Sequence, residues 1–172
     1  YGLYNVVGGV VAMMGFLNGS ISAGTSRFIA YELGKGDHNK LNSVFNVCLV
    51  SHGLIALIVF FLAETIGLWF VNTQLVFEVD RTLAVNVVFQ ASILTAMLQF
   101  VQMPYTADII AHEKMDIYAY VSILDALLKL TMVFVLQTLK DVDSLIIYAL
   151  MLCVLQIVIN GIYIIFCQKH YV

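Results

Sequence analysis

Apolar residues run along the chain in five long stretches, broken by four shorter polar ones. The stretches are 3–31, 41–62, 83–111, 117–139 and 145–167, and the polar breaks are 32–40, 64–82, 112–116 and 140–144. About 20 mostly apolar residues in helical conformation cross the hydrocarbon core of a bilayer, and each stretch meets that length. None alternates with the period of two that a barrel strand requires. The pattern predicts an all-α, polytopic bundle of about five membrane-spanning helices in a single unit over 1–172. The second break is long. It places Trp69 and Phe70 beside a helix end, where aromatic rings favour the headgroup layer, and Glu78, Asp80 and Arg81 then mark solvated chain.

Composition strengthens this. Of 172 residues 62% are hydrophobic and only 11% charged, with a mean hydropathy of +0.96. Soluble domains carry about 25% charged residues, so a water-facing surface cannot be covered here and a lipid bilayer is the implied partner. Net charge is −3 and Lys and Arg do not cluster, which leaves nucleic-acid binding without an electrostatic footprint. Cys48, Cys153 and Cys167 lack CxxC spacing and read as packing residues. No metal site, cofactor motif or soluble-enzyme constellation is present, and nothing suggests an enzyme. The opening has neither initiator Met nor basic leader, so the chain is expected to be a piece of a longer protein.

Lys and Arg counts set an expected orientation. Arg27, Lys35, Lys40, Lys114 and Lys169 fall on one face, Arg81 and Lys140 on the other. The first face, comprising 27–40, 112–116 and the C-terminal tail, is expected to be cytoplasmic.

Chemistry enters through polar residues inside the stretches. In the first, Gly8, Ala12, Gly15, Gly19, Ser22 and Ser26 share one helical side and permit close helix packing, while Asn18–Ser26 is polar enough to line a wet cavity. In the third, Ser92, Thr95, Gln99, Gln102 and Thr106 repeat at 3 and 4 and must face protein or water. Pro104 within that stripe predicts a kink or break near Gln99–Phe100. In the fourth, Asp125 and Lys129 lie four apart near mid-span, each costing about 2.5–3.5 kcal/mol at a bilayer centre. Acid before base is the favourable order for a pair. They read either as a self-neutralising pair or as a substrate-headgroup or proton-linked site. His52 reads as a buried neutral imidazole or a proton relay. Arg27 lies where the first span leaves the membrane and could meet an anionic headgroup. Asp108 with His112 reads as a helix-end pair, and Gln156 with Asn160 as interhelical glue.

One stretch carries a family resemblance. Gly24-Thr-Ser-Arg-Phe-Ile-Ala-Tyr-Glu-Leu-Gly-Lys-Gly-Asp37, followed by Lys40-Leu-Asn-Ser-Val-Phe45, resembles the connection between the second and third helices in the multidrug/oligosaccharidyl-lipid/polysaccharide exporter superfamily. Tyr1–Gly9 and Ile110–Met115 with Ala119 and Tyr120 resemble further junctions of its polysaccharide-flippase branch, which is related to the MATE-type exporters. The resemblance implies helices two to six of an N-terminal lobe, with the first helix and second lobe of the parent chain missing. It further implies a bacterial inner-membrane flippase or exporter of lipid-linked oligosaccharide for polysaccharide or lipopolysaccharide biosynthesis, working by alternating access. Arg27 and Lys129 would then meet a diphosphate headgroup with Asp125 tuning Lys129, so that all three belong to the substrate site, Gln99, Gln102 and Thr106 would line the path, and Asp125 or His52 would serve coupling. The alternatives are a cation-coupled multidrug antiporter with a small-molecule substrate, and a non-transporting membrane scaffold or glycan-enzyme subunit.

Overall fold

The computed structural model describes residues 21–73, 82–138 and 144–170. These residues are helical apart from short turns, and they contain no strand. In chain order the helices are α1 (21–35), α2 (His38–Leu62), α3 (Leu68–Thr73), α4 (Thr82–Ala111), α5 (Met115–Thr138) and α6 (Ser144–His170). Within Asn39–Phe70, Ala84–Ala111, Met115–Leu136 and Ile146–His170, the helix is long and apolar enough to cross a membrane. The chain is a multi-pass helical membrane protein. Of the first expected span, only the part from Ile21 onward lies among the described residues.

Two turns at one end of the bundle show why the sequence stops and restarts where it does. Gly36 takes φ +72° and returns its N–H to the Leu33 carbonyl at 3.1 Å, closing α1 with a left-handed residue that glycine adopts without steric cost. Asp37 then caps α2, accepting from the Lys40 amide at 3.2 Å, and that bond holds its carboxyl below the usual pKa. The run from Leu33 to Asp37 is thus a helix stop joined to a helix start. Between α4 and α5, Glu113 has φ 59° and bonds Ile110 O at 3.0 Å, while Lys114 bonds Ile109 O at 3.1 Å. This is the Schellman arrangement, here without the usual glycine.

Two expectations change. The break after Leu62 is not a loop at first: a π-type turn over Ala63–Gly67 carries the helix on into α3. No proline intervenes, and Gly67 allows the Phe89 ring so close that an added Cβ would lie 2.7 Å from it. Trp69 and Phe70 therefore project from a helix. Glu78, Asp80 and Arg81 lie outside the described residues. Nor does Pro104 break α4, which runs unbroken from Thr82 to Ala111. Proline removes the one N–H that would reach Phe100 O, and the rest of the ladder remains.

α4 is the central helix, packed on α2, α6 and α5, and α5 leans on α6. Small residues recur in the core beside larger ones such as Ile29, Phe100 and Leu155. Ala56, Ala91, Ala107, Ala149, Cys153 and Cys167 are buried, whereas Val50, Leu54, Phe61, Leu127, Phe134, Val154 and Ile165 point outward. Small residues let backbones approach where lipid offers no hydrophobic contrast. Exposed hydroxyls remove themselves from hydrocarbon by bonding back to the carbonyl four residues earlier, as in Ser51 to Val47, Ser92 to Val88 and Thr131 to Leu127, each at 2.8 Å. That pattern satisfies a polar group without a partner helix.

Candidate functional site

The charged pair of α5 forms as its spacing predicts. Lys129 Nζ donates to Asp125 Oδ2 at 2.7 Å, and the side chains are 45% and 27% exposed respectively. The second carboxylate oxygen, Asp125 Oδ1, is buried and has no hydrogen-bond partner among the described residues. On the facing α6, Tyr163 is buried and has Ser122 of α5 within hydrogen-bonding reach, with Tyr118 and Asp125 further off. Only 6% of the apolar window of α5 is buried, against 39% for α6. A mid-span ion pair on the least covered helix of the bundle needs protein or water over it.

Arg27 is exposed on α1. Its helix packs through Ile29 into a cluster with Leu41, Phe45 and Ala107, on the α2 side of α4. Asp125 and Lys129 stand on α5, which packs on α6 and α4, and no contact links them to α1 among the described residues. The described residues therefore do not bring Arg27 and Lys129 together.

The polar stripe of α4 divides. Ser92 and Thr95 bond their own helix, as does Thr106, which donates to Gln102 O at 3.3 Å. Gln99 is exposed. Gln102 is engaged across the bundle: its Oε1 accepts from Gln156 Nε2 at 2.6 Å. One turn further along α6, Asn160 Nδ2 donates to Leu98 O at 2.8 Å. Gln156 and Asn160 are buried, so the α6 pair acts as interhelical glue. His52 is a buried residue of α2, its Nδ1 2.7 Å from Cys48 O, while Nε2 has no partner among the described residues. Of the small-residue stripe in the first span, Ser22 and Ser26 are described, with Ser26 bonding back to Ser22 O at 3.0 Å.

No protein-family model matches the chain, and neither does any curated protein or solved structure. What the site can do is argued from its own residues.

Two clefts open on the bundle. One of about 230 Å³ is lined by Asn42, Phe45, Asn46, Leu49, Tyr105 and Gln168. The other, of about 540 Å³, is almost wholly apolar, with Asn86 and Gln90 among residues such as Phe60, Met97 and Leu150. Neither contains Arg27, Asp125 or Lys129. The three amides of the first cleft went unremarked in the sequence, although Asn42 and Asn46 share the four-residue spacing that singled out other pairs. The convergence of Asp108, His112 and Cys167 was equally hidden, because the thiol arrives from another helix. Among the described residues no three His, Cys, Asp or Glu side chains are arranged to hold a metal ion.

Proposed function

We propose that this chain is the membrane-embedded part of an exporter or flippase lobe, handling a lipid-linked saccharide with an anionic headgroup by alternating access. The observation that carries this reading is the Asp125–Lys129 pair on the exposed face of α5. Two charges at mid-span together cost several kcal/mol against lipid. A partner lobe or a water-filled path against that face removes the cost, and both belong to a carrier whose site lies between two lobes.

In this reading Lys129 meets the headgroup phosphate, and Asp125 holds the ammonium in place when the headgroup is absent. Arg27, on another helix, offers a second contact where the headgroup enters or leaves. The turns at 36–37 and 112–114 and the end of α6 face the cytoplasm of a bacterial inner membrane, following the distribution of Lys and Arg. The Gly24–Phe45 resemblance to the exporter superfamily supports this arrangement, with the second lobe supplied by the parent chain. The test is Lys129→Met in the full-length parent. Export of the lipid-linked saccharide should fall at least tenfold at unchanged membrane abundance, and full export would sink the assignment.

A cation-coupled antiporter is favoured by one observation, the unpartnered Asp125 Oδ1. Against it stands the tethered ammonium, which occupies the same carboxylate. Dye efflux that follows an imposed Na⁺ or H⁺ gradient and vanishes in Asp125→Asn would decide for the antiporter.

A further inference from the structure

Asp108 is one turn from the end of α4, where carbonyls without helical partners already carry partial negative charge. Its side chain is 5% exposed. A carboxylate there loses hydration and opposes the helix end, so its neighbours decide how it is tolerated.

Those neighbours can be named from every side. On its own helix, His112 Nδ1 lies 3.3 Å from Asp108 Oδ1 and 2.9 Å from the Asp108 carbonyl, so a proton on Nδ1 is held by backbone and carboxyl together. From α6, the fully buried thiol of Cys167 faces the same carboxyl and also lies 3.6 Å from the Tyr105 carbonyl. α1 and α2 meet this level of α4 through Ile29, Leu41 and Phe45, and α5 through Val121 and Ile117. Among the described residues Asp108 makes no ion pair with Lys or Arg. Among the described residues, the polar side chains that face the acid are one imidazole and one thiol.

We propose that Asp108, His112 and Cys167 form a proton-binding site linking α4 to α6. One proton on the Asp108 carboxyl, beside a neutral His112 ring, makes the pair neutral overall. Its release leaves a buried carboxylate that needs a donor. The Cys167 thiol is within reach and exchanges its S–H···O bond to Tyr105 for one to Asp108. No covalent bond changes other than that to the departing proton. The exchange alters a contact between the two most extensively packed helices. It does not depend on the export reading, since the site is defined by equilibrium proton binding.

Infrared pH-difference spectra of the full chain in liposomes, collected across the range in which the bundle stays folded, test this. The expected result is a carboxylic C=O band and a thiol S–H band that titrate with one midpoint. The carboxyl band should move on ¹³C-aspartate labelling and vanish in Asp108→Asn. Cys167→Ala should remove the S–H response and shift the carboxyl frequency, and His112→Gln should displace the midpoint at least tenfold in proton concentration. Isotope labelling needs no substitution, so poor folding of a variant does not spare the proposal. A wild-type spectrum without a titrating aspartic C=O band overturns it, as does an S–H band indifferent to that titration.

Discussion

Gln156 of α6 donates to the side-chain oxygen of Gln102 on α4 at 2.6 Å, joining the two helices that pack most extensively. Neither amide has water nearby in a bilayer, so each is the other's means of satisfaction. Interhelical hydrogen bonds in membranes are worth about 0.6 kcal/mol on average and up to about 1.7. The pair is expected to fall in the upper half of that range because it is short and Gln156 is buried. Gln156→Leu alone should cost more than the Gln102→Leu/Gln156→Leu double variant, since it strands Gln102 Oε1. A double-mutant cycle on unfolding in mixed micelles measures this, and additive single effects would show that the bond contributes nothing.

How much of this was legible beforehand depends on whether a feature is local. The helical character of the apolar stretches and the Asp125–Lys129 contact follow from residues within a few positions of each other, and those readings hold. Gln156 and Asn160 were readable as glue, but not that they would meet Gln102 and Leu98 O, because a partner 54 or 62 residues away leaves no mark in spacing. Of the kink or break expected near Gln99–Phe100, the break is absent, because one missing N–H is a small loss in a helix clasped on three sides. Trp69 and Phe70 do lie beside a helix end, but the π-type turn that carries the helix to them leaves no mark in the residue pattern. The Asp108–Cys167 approach was invisible for the same reason as the glutamine pair.

Glu113 adopts a left-handed conformation where a glycine usually closes a helix. A side chain there costs about 1–2 kcal/mol, partly offset because glycine is more flexible in the unfolded chain. Glu113→Gly should therefore stabilise the α4–α5 junction by up to about 1 kcal/mol, while Glu113→Val should destabilise it. Amide exchange at Lys114, whose N–H reaches Ile109 O at 3.1 Å, reads the effect directly.

Gly67 works in the opposite direction. A Cβ at this position would sit 2.7 Å from Cζ of Phe89. The ring tip can swing, so Gly67→Ala should cost near the lower end of the about 1–3 kcal/mol typical of overpacking. Adding Phe89→Leu should recover most of it. Equal destabilisation with and without that second change would place the strain in the backbone of the π-type turn instead.

Asp37 gives a pH dependence with a definite sign. The Lys40 amide holds its carboxyl below the usual value, so the cap's contribution is complete above the unfolded-state pKa and is lost as pH falls through the folded one. Exchange protection of the Lys40 amide should decline over that acidic interval in the wild type. Asp37→Asn, which caps without titrating, should keep its protection there, and Asp37→Ala should lack it at every pH. Matching profiles for the wild type and the Asp37→Asn variant would remove the cap from the explanation.

The Asp125–Lys129 pair makes α5 the most informative helix to insert by itself. With both charges present, the 2.7 Å contact leaves little net charge within the span. Removing one partner leaves a lone charge at the centre, where insertion scales assign about 2.5–3.5 kcal/mol. Lys129→Leu and Asp125→Leu should therefore gain less insertion than their hydrophobicity suggests, and the double substitution should gain more than the sum of the two. A glycosylation-mapping assay on α5 placed in a host protein reports this as the inserted fraction. If the singles already insert as well as the double, the charges do not act as a pair in the membrane. Lys129 would then reach the interface independently, and Asp125 alone would carry the cost that the bundle must cover.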